Sequence, residues 1–287
     1  ISDRDEALRL LLSVSGTLTE REQRIGLSGS VFGFDLAALG VSPEPIGGSF
    51  ALDASASAAG KGAYAARIAL DSIEIRNKHR TDRIRPTSVS LHTDSAATRA
   101  EAASGDLSLT FSTPQSADSL IAALTRSARA LAGQIDAQSI DMEQLKPALP
   151  DFALRVSAGP DNILNSLLKS RKIAFDALNA EGANCDSLPV SIRLRTEGLA
   201  YGNVVLDTVT ADIRQNGKRL EYALGLANAP GNLDNIARAG LYGHLVRNTG
   251  QANLYQRNRA GREGFRFGLD VTWTDSLVRA SVTPPDP

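Results

Sequence analysis

Few residues in this 287-residue chain are of a type that does chemistry, and their spacing argues against most of it. The three histidines, His79, His92 and His244, form neither an H-x-H nor an H-E-x-x-H pattern. Each reads as a strand or loop histidine facing water. Cys185 is the single cysteine, which excludes an intrachain disulfide and a cysteine-built zinc site. It lies in the polar run Gly182-Ala183-Asn184-Cys185-Asp186-Ser187 and reads as a free loop thiol, because a nucleophile needs a partnered histidine. Gly26-Leu27-Ser28-Gly29 is one residue short of a nucleophile elbow and sits in a strand pattern. Gly60-Lys61-Gly62 lacks the upstream glycine and downstream Ser/Thr of a phosphate loop, so it is a turn. Asp3, Asp5 and Glu6 cluster at the start, where fraying explains them, and the other carboxylates are scattered. The expectation is a protein that is not an enzyme, with no catalytic residues, no metal and no cofactor.

The basic run Arg76, Lys78, His79, Arg80, Arg83 and Arg85 is the one charge feature of note. It lies between two strand patterns and ends at Pro86, as a solvated hairpin tip does. Phosphate binding is the functional alternative, but the aromatics that nucleic-acid sites interleave are missing. A net charge of −1 removes the whole-chain electrostatic footprint of a nucleic-acid binder. Aromatics are only 5% of the chain, so stacking platforms for bases or sugars are scarce. No apolar run approaches the roughly 20 residues of a membrane-spanning helix. The chain begins at Ile1 rather than Met, and reads as a soluble piece of something longer.

The elements that would position any site are mostly strands. Period-2 alternation dominates: Leu10, Leu12, Val14, Gly16, Leu18; Phe50, Leu52, Ala54, Ala56; Tyr64, Ala66, Ile68, Leu70. It returns at Leu107–Phe111, Phe152–Val156, Val190–Leu194, Val209–Ile213, Leu220–Leu226 and Phe265–Val271. Alanine supplies much of the 42% apolar fraction, and it removes little surface from water. Such a chain builds a thin apolar layer more readily than a thick core.

Turn chemistry sets the expected registers. Asn216-Gly217 is a strong two-residue hairpin signal with positive φ at Gly217, and pairs Ile213 with Leu220 and Val209 with Leu224. A three-residue loop at Gly60-Lys61-Gly62 keeps the apolar faces in phase by pairing Ala54 with Ile68 and Leu52 with Leu70. After Leu70 the parity slips to Ile73 and Ile75, which predicts a bulge near Asp71-Ser72. Ser116 to Gln134 carries a helical stripe of Leu120, Ile121, Leu124, Ala128 and Leu131, with Gly133 as the stop. Leu120, Leu124 and Leu131 are expected to pack this helix onto the sheet. A turn of helix is expected near Asp141–Lys146, and Pro160-Asp161 opens a short helix. The expected divisions are a β-rich segment 1–114, a helical insert with a short strand 115–170, and a second β-rich segment 171–287.

Three stretches resemble a known family. They are Gly26-Leu27-Ser28-Gly29 through Phe34-Asp35-Leu36-Ala37-Ala38-Leu39-Gly40, then Ser104-Gly105-Asp106-Leu107-Ser108-Leu109, and Ala158-Gly159-Pro160-Asp161-Asn162. Together they resemble the TamB-like (translocation and assembly module) proteins of the AsmA-like superfamily, in their Bacteroidetes form. The resemblance implies a mainly β fold of antiparallel strands in an elongated, curved, U-shaped (taco-like) sheet, here with a small helical insert. It implies a periplasmic location, with an anchor to the inner membrane in the full-length protein. It also implies an apolar groove for phospholipid transfer and outer-membrane biogenesis. A TamA- or BamA-type outer-membrane barrel is the implied protein partner, through regions outside this chain.

On that reading the partners are phospholipid acyl chains, with no nucleic acid. The groove residues are then the inward positions of the best-patterned strands: Leu52, Ala54, Ile68, Leu70, Val209, Ile213, Leu220 and Leu224. Alternation does not say what covers an apolar face. A surface β-sandwich adhesin or carbohydrate-binding module is therefore the alternative.

Overall fold

The computed structural model describes residues 7–19, 22–60, 62–78, 81–169, 171–185, 188–229, 237–274 and 277–284. The fold is mainly β, with the strands antiparallel and the sheet not closed on itself, and it carries a small helical portion. The chain divides into two compact units, Ile1–Ala117 with Ala158–Arg171, and Asp118–Ser157 with Lys172–Pro287. The first unit takes the end of the helical region and the second takes its beginning.

Among the described residues, the first unit is a meander of eight strands. β1 (Leu8–Leu18), β2 (Glu22–Asp35), β3 (Gly47–Ala59) and β4 (Ala63–Arg76) pair in sequence. β4 then borders two short strands, β5 (Thr81–Ile84) at its end and β6 (Thr87–Thr93) at its beginning. β7 (Thr98–Ser104) and β8 (Leu107–Thr113) complete the series. The β3–β4 register is as the turn chemistry predicts, with Ala54 opposite Ile68 and Leu52 opposite Leu70. Gly60 and Gly62 flank that loop with positive φ, while Lys61 lies outside the described residues. The predicted bulge is present: Ala51 faces Asp71 but Ser49 faces Glu74, and Ser72 takes φ +52° to absorb the extra residue.

In the second unit, helix α1 (Ala117–Asp136) leads to the short α2 (Met142–Leu145), a 3-10 turn and β9 (Phe152–Ala158). The first unit reclaims the short helix α3 (Ile163–Lys169). β10 (Ile173–Ala174) and β11 (Ala177–Cys185) both pair with β12 (Leu188–Tyr201). From there β13 (Val204–Asn216), β14 (Arg219–Asn228), β15 (Arg238–Val246), β16 (Thr249–Arg257), β17 (Glu263–Thr274) and β18 (Leu277–Thr283) pair each with the next.

Two local expectations need correction. Gly217 has φ +58° as predicted, but the two-residue loop is Gly217-Lys218 rather than Asn216-Gly217. Ile213 therefore faces Tyr222 instead of Leu220, and Val209 faces Leu226 instead of Leu224. The reason is electrostatic. This register sets Arg214 directly opposite Glu221, at 2.9 Å, where the expected one opposed like charges. The second correction concerns α1, which runs through Gly133. It ends where Gln138 turns left-handed at φ +48°, with Ser139 N donating to Gln134 O and Gln138 N to Ile135 O. Those two bonds satisfy carbonyls that the helix end would leave bare.

The stripe on α1 packs only in part: Leu120 is half-buried, but Leu124 and Leu131 are exposed. Ala123 is its buried residue, and Ser127 and Gln134 lie on the same side. Ser127 Oγ donates to Ala148 O at 2.6 Å, and Gln134 exchanges two 3.0 Å hydrogen bonds with the backbone of Asp141. Ile121, Leu124, Leu131 and Ile135 remain between 43% and 62% exposed. The helix is held by its small and polar side, because its close neighbours are α2 and the 3-10 turn rather than a flat sheet face.

Candidate functional site

Antiparallel pairing puts directly opposed residues on the same face, so consecutive registers build rows that cross the strands. In the first unit one row reads Val14, Leu27, Ala54, Ile68, Val89, Ala102, Leu109. The next, on the same face, reads Gly16, Ile25, Ala56, Ala66, Leu91, Ala100, Phe111. On the other side lies Leu12, Gly29, Leu52, Leu70. The reverse face is polar, with rows such as Ser15, Gly26, Ser55, Arg67, Ser90, Glu101, Thr110.

The second unit repeats the division. Ala180, Leu194, Ala211, Leu224, Leu241, Leu254 and Phe267 form one unbroken apolar row. Gly182, Ile192, Ile213, Tyr222, Gly243, Ala252 and Leu269 form the next. Its reverse face carries cross-strand ion pairs, Arg193–Asp212 at 3.4 Å and Arg155–Glu181 at 3.2 Å besides Arg214–Glu221. Hydrogen bonds from Asn216, then Arg214, hold the Glu221 carboxyl below the usual range.

The apolar face stays uncovered over much of its area. Ile68 is 47% exposed and Val89 46% at the middle of their row, and Leu224 is 43% exposed in the second unit. A second sheet packed on that face would bury such residues.

One end of the second unit's apolar face is capped. Met142 and Leu145 of α2 pack with Val190 and Leu220, and Ala130, Ile140 and Leu149 join them. Ile140 and Arg247 exchange two backbone hydrogen bonds at the β15–β16 hairpin, and Trp273 Nε1 donates to Gln138 O. Asp141 caps α2 through Glu143 N at 3.0 Å and pairs with Arg247 at 3.2 Å. Burial pushes the Asp141 carboxyl up, but the Arg247 hydrogen bond and the backbone N–H groups outweigh it, and the result lies below the usual range.

The predicted groove residues therefore fall as follows. Leu52, Ala54, Ile68 and Leu70 share the apolar face of the first unit, and Val209, Ile213 and Leu224 share that of the second. Leu220 has the same face, and it is the one of the eight that packs, half-buried, against the α2 cluster. Sequence reasoning passed over Val89, Leu91, Leu241 and Leu254, which complete the rows. The alternation was present there, but diluted by Ala, Gly, Ser and Thr.

Two of the three resemblance stretches, those at Ser104–Leu109 and Ala158–Asn162, meet in the first unit. Asp106 accepts Asn162 Nδ2 at 2.6 Å and Asp161 N at 2.9 Å, while Ser104 Oγ accepts Ile163 N at 3.1 Å. Asn162 Oδ1 caps α3 by accepting Asn165 N at 2.9 Å. Partial burial pushes the Asp106 carboxyl up, yet the Asn162 and backbone donors hold it below the usual range. Gly159 is required by this knot, since a Cβ there would stand 2.4 Å from Asp106 Oδ2. Asn162, Ser104 and Asn165 are each only 1% exposed, so the motif ties α3 to the β7–β8 hairpin and offers nothing to a ligand.

The remaining chemical residues are accounted for by the same geometry. Arg76 and Arg83 lie near Glu74, at 3.8 and 3.9 Å, and Arg85 pairs with Asp161 at 2.7 Å. His79 and Arg80 of the basic run lie outside the described residues, as do Asp3, Asp5, Glu6, Asp186 and Ser187. Cys185 is half-buried at the end of β11. His92 and His244 stand on the polar faces. Among the described residues no group of three or more His, Cys, Asp or Glu is placed to hold a metal ion. No described helix is long and apolar enough to cross a membrane.

Comparison of the chain with protein-family models, curated proteins and solved structures gave no match. The fold and face geometry define an open antiparallel β protein with one apolar and one polar face in each unit.

Proposed function

We propose that the chain is a non-enzymatic, periplasmic segment of a TamB/AsmA-like protein whose apolar rows receive phospholipid acyl chains on their way to the outer membrane. The observation that carries this reading is the pair of uninterrupted apolar rows, seven strands wide, that stay partly exposed in each unit. Strands about 4.8 Å apart give such a row a span of about 29 Å. An acyl chain laid along it gains about 0.8 kcal/mol per methylene removed from water, with no specific polar contact. The small residues Ala54, Ala66, Ala102 and Ala211 keep the surface low between the larger aliphatics, which suits a chain of variable length and headgroup. The capping of the second unit's face by α2 limits the receptive area at that end. A TamA- or BamA-type barrel partner would engage regions beyond this chain.

The test is Ile68→Asp. A half-exposed position tolerates the charge, so the variant is expected to keep its secondary structure and melting midpoint while losing lipid binding. Wild-type lipid binding in a folded Ile68→Asp variant contradicts the proposal.

A further inference from the structure

The polar face of the first unit carries a crevice of about 720 Å³, within the usual size of small-molecule sites. Its construction follows from the register. Arg24, Ser57, Ala65, His92 and Arg99 are consecutive partners across β2, β3, β4, β6 and β7. The neighbouring row on the same face places Arg67 between Ser55 and Ser90. Small residues thus form the floor, and long cationic side chains form the rim. Arg67 stands two strands, or about 10 Å, from Arg24 on one side and from Arg99 on the other.

The charge balance sets this crevice apart. Among the described residues that line it, Glu101 is the one carboxylate, and Arg67 and Arg99 flank β6 with Ser90 and His92 between them. On the corresponding face of the second unit, arginines are matched across strands by Asp212, Glu221 and Glu181. A surplus of guanidinium groups over a floor of hydroxyls is the donor set that phosphoryl oxygens need. Guanidinium groups bind them bidentately, and serine hydroxyls add single donors.

We propose that this crevice binds a phosphoryl-bearing anion of sugar-phosphate or lipid-headgroup size. Its charged and hydroxyl side chains belong to the face opposite the apolar rows, although residues of the Gly16–Leu91 row also line it, and the proposal does not depend on the acyl-chain reading. The crevice is open to water, and binding should weaken as salt screens the charges.

The experiment is calorimetric titration of the full chain with inorganic pyrophosphate and with glycerol 3-phosphate at low salt. Saturable binding to one site is expected. The double variant Arg67→Gln/Arg99→Gln should weaken it at least tenfold, and Ala65→Leu should do the same by filling the floor at unchanged charge. Arg193→Gln, on the second unit, should leave it unaltered. Sedimentation with phosphatidylglycerol and phosphatidylcholine vesicles separates the sources. Association that Arg67→Gln/Arg99→Gln abolishes identifies a lipid headgroup, and binding of the soluble compounds alone identifies a free phosphate ester. Absence of saturable binding to any of these probes would overturn the site. So would equal weakening by Arg193→Gln, or full binding by a folded Ala65→Leu variant.

Discussion

Asp141 shows how single residues fix this protein's architecture. Its carboxylate caps α2 and receives Arg247 at 3.2 Å, which joins the helical segment to the β15–β16 hairpin. Because its folded pKa is depressed, the stabilisation is present above the ordinary carboxylate value and is lost as the pH falls through the lower folded one. Asp106 follows the same sign. Thermal melts should therefore fall in midpoint as the pH drops below about 4, and Asp141→Asn should flatten part of that dependence. An Asp141→Asn profile identical to wild type would show that the cap contributes nothing. Gly217 makes the complementary case. A Cβ there meets no atom within 4 Å, so the cost of a side chain is conformational alone. Gly217→Val should destabilise by about 1 kcal/mol or more, read from urea unfolding, because a β-branched residue resists φ +58°.

At the scale of elements, the strands with a strong period were legible and the Ala-rich ones were not. The bulge at Ser72 and the β3–β4 register follow from parity, since a two-residue loop would take Leu52 and Ile68 out of phase with their partners and a three-residue loop keeps them in phase. β7, Thr98–Ser104, brings no apolar residue larger than alanine to the apolar face, and β6 offers only Val89 and Leu91. Such segments become strands because their neighbours supply the ladder, a tertiary effect that local propensity does not carry. The α1 stripe misled for a related reason. Periodicity locates a helix face, but not whether a partner waits there, and the contacts of α1 run through Ala123, Ser127 and Gln134 instead. The consequence is measurable. Leu145→Ala, in the packed cluster at 7% exposure, should cost about 2–5 kcal/mol, and Leu124→Ala, at 51%, less than about 1. Equal losses in urea unfolding would mean that α1 packs by its aliphatic side after all.

For the whole molecule, the candidate site was half legible. The apolar positions Leu52, Ile68, Ile213 and Leu224 follow from alternation, and the packing of Leu220 against α2 does not, because it depends on a distant helix. The Arg24, Arg67 and Arg99 crevice was invisible, since three arginines far apart in sequence meet only once the register is known. What both units share is a division of labour between faces, and the central claim is that the apolar one meets lipid. Photo-crosslinking reads this directly. Benzophenone-bearing residues would be placed at Ile68, Val89 and Leu224 on the apolar faces, and at Ser108 and Asp270 on the polar ones. After illumination with phospholipid, the account predicts lipid adducts at the first three positions and none at the last two. Folded protein without adducts at any apolar position, or with adducts equally on both faces, would contradict it.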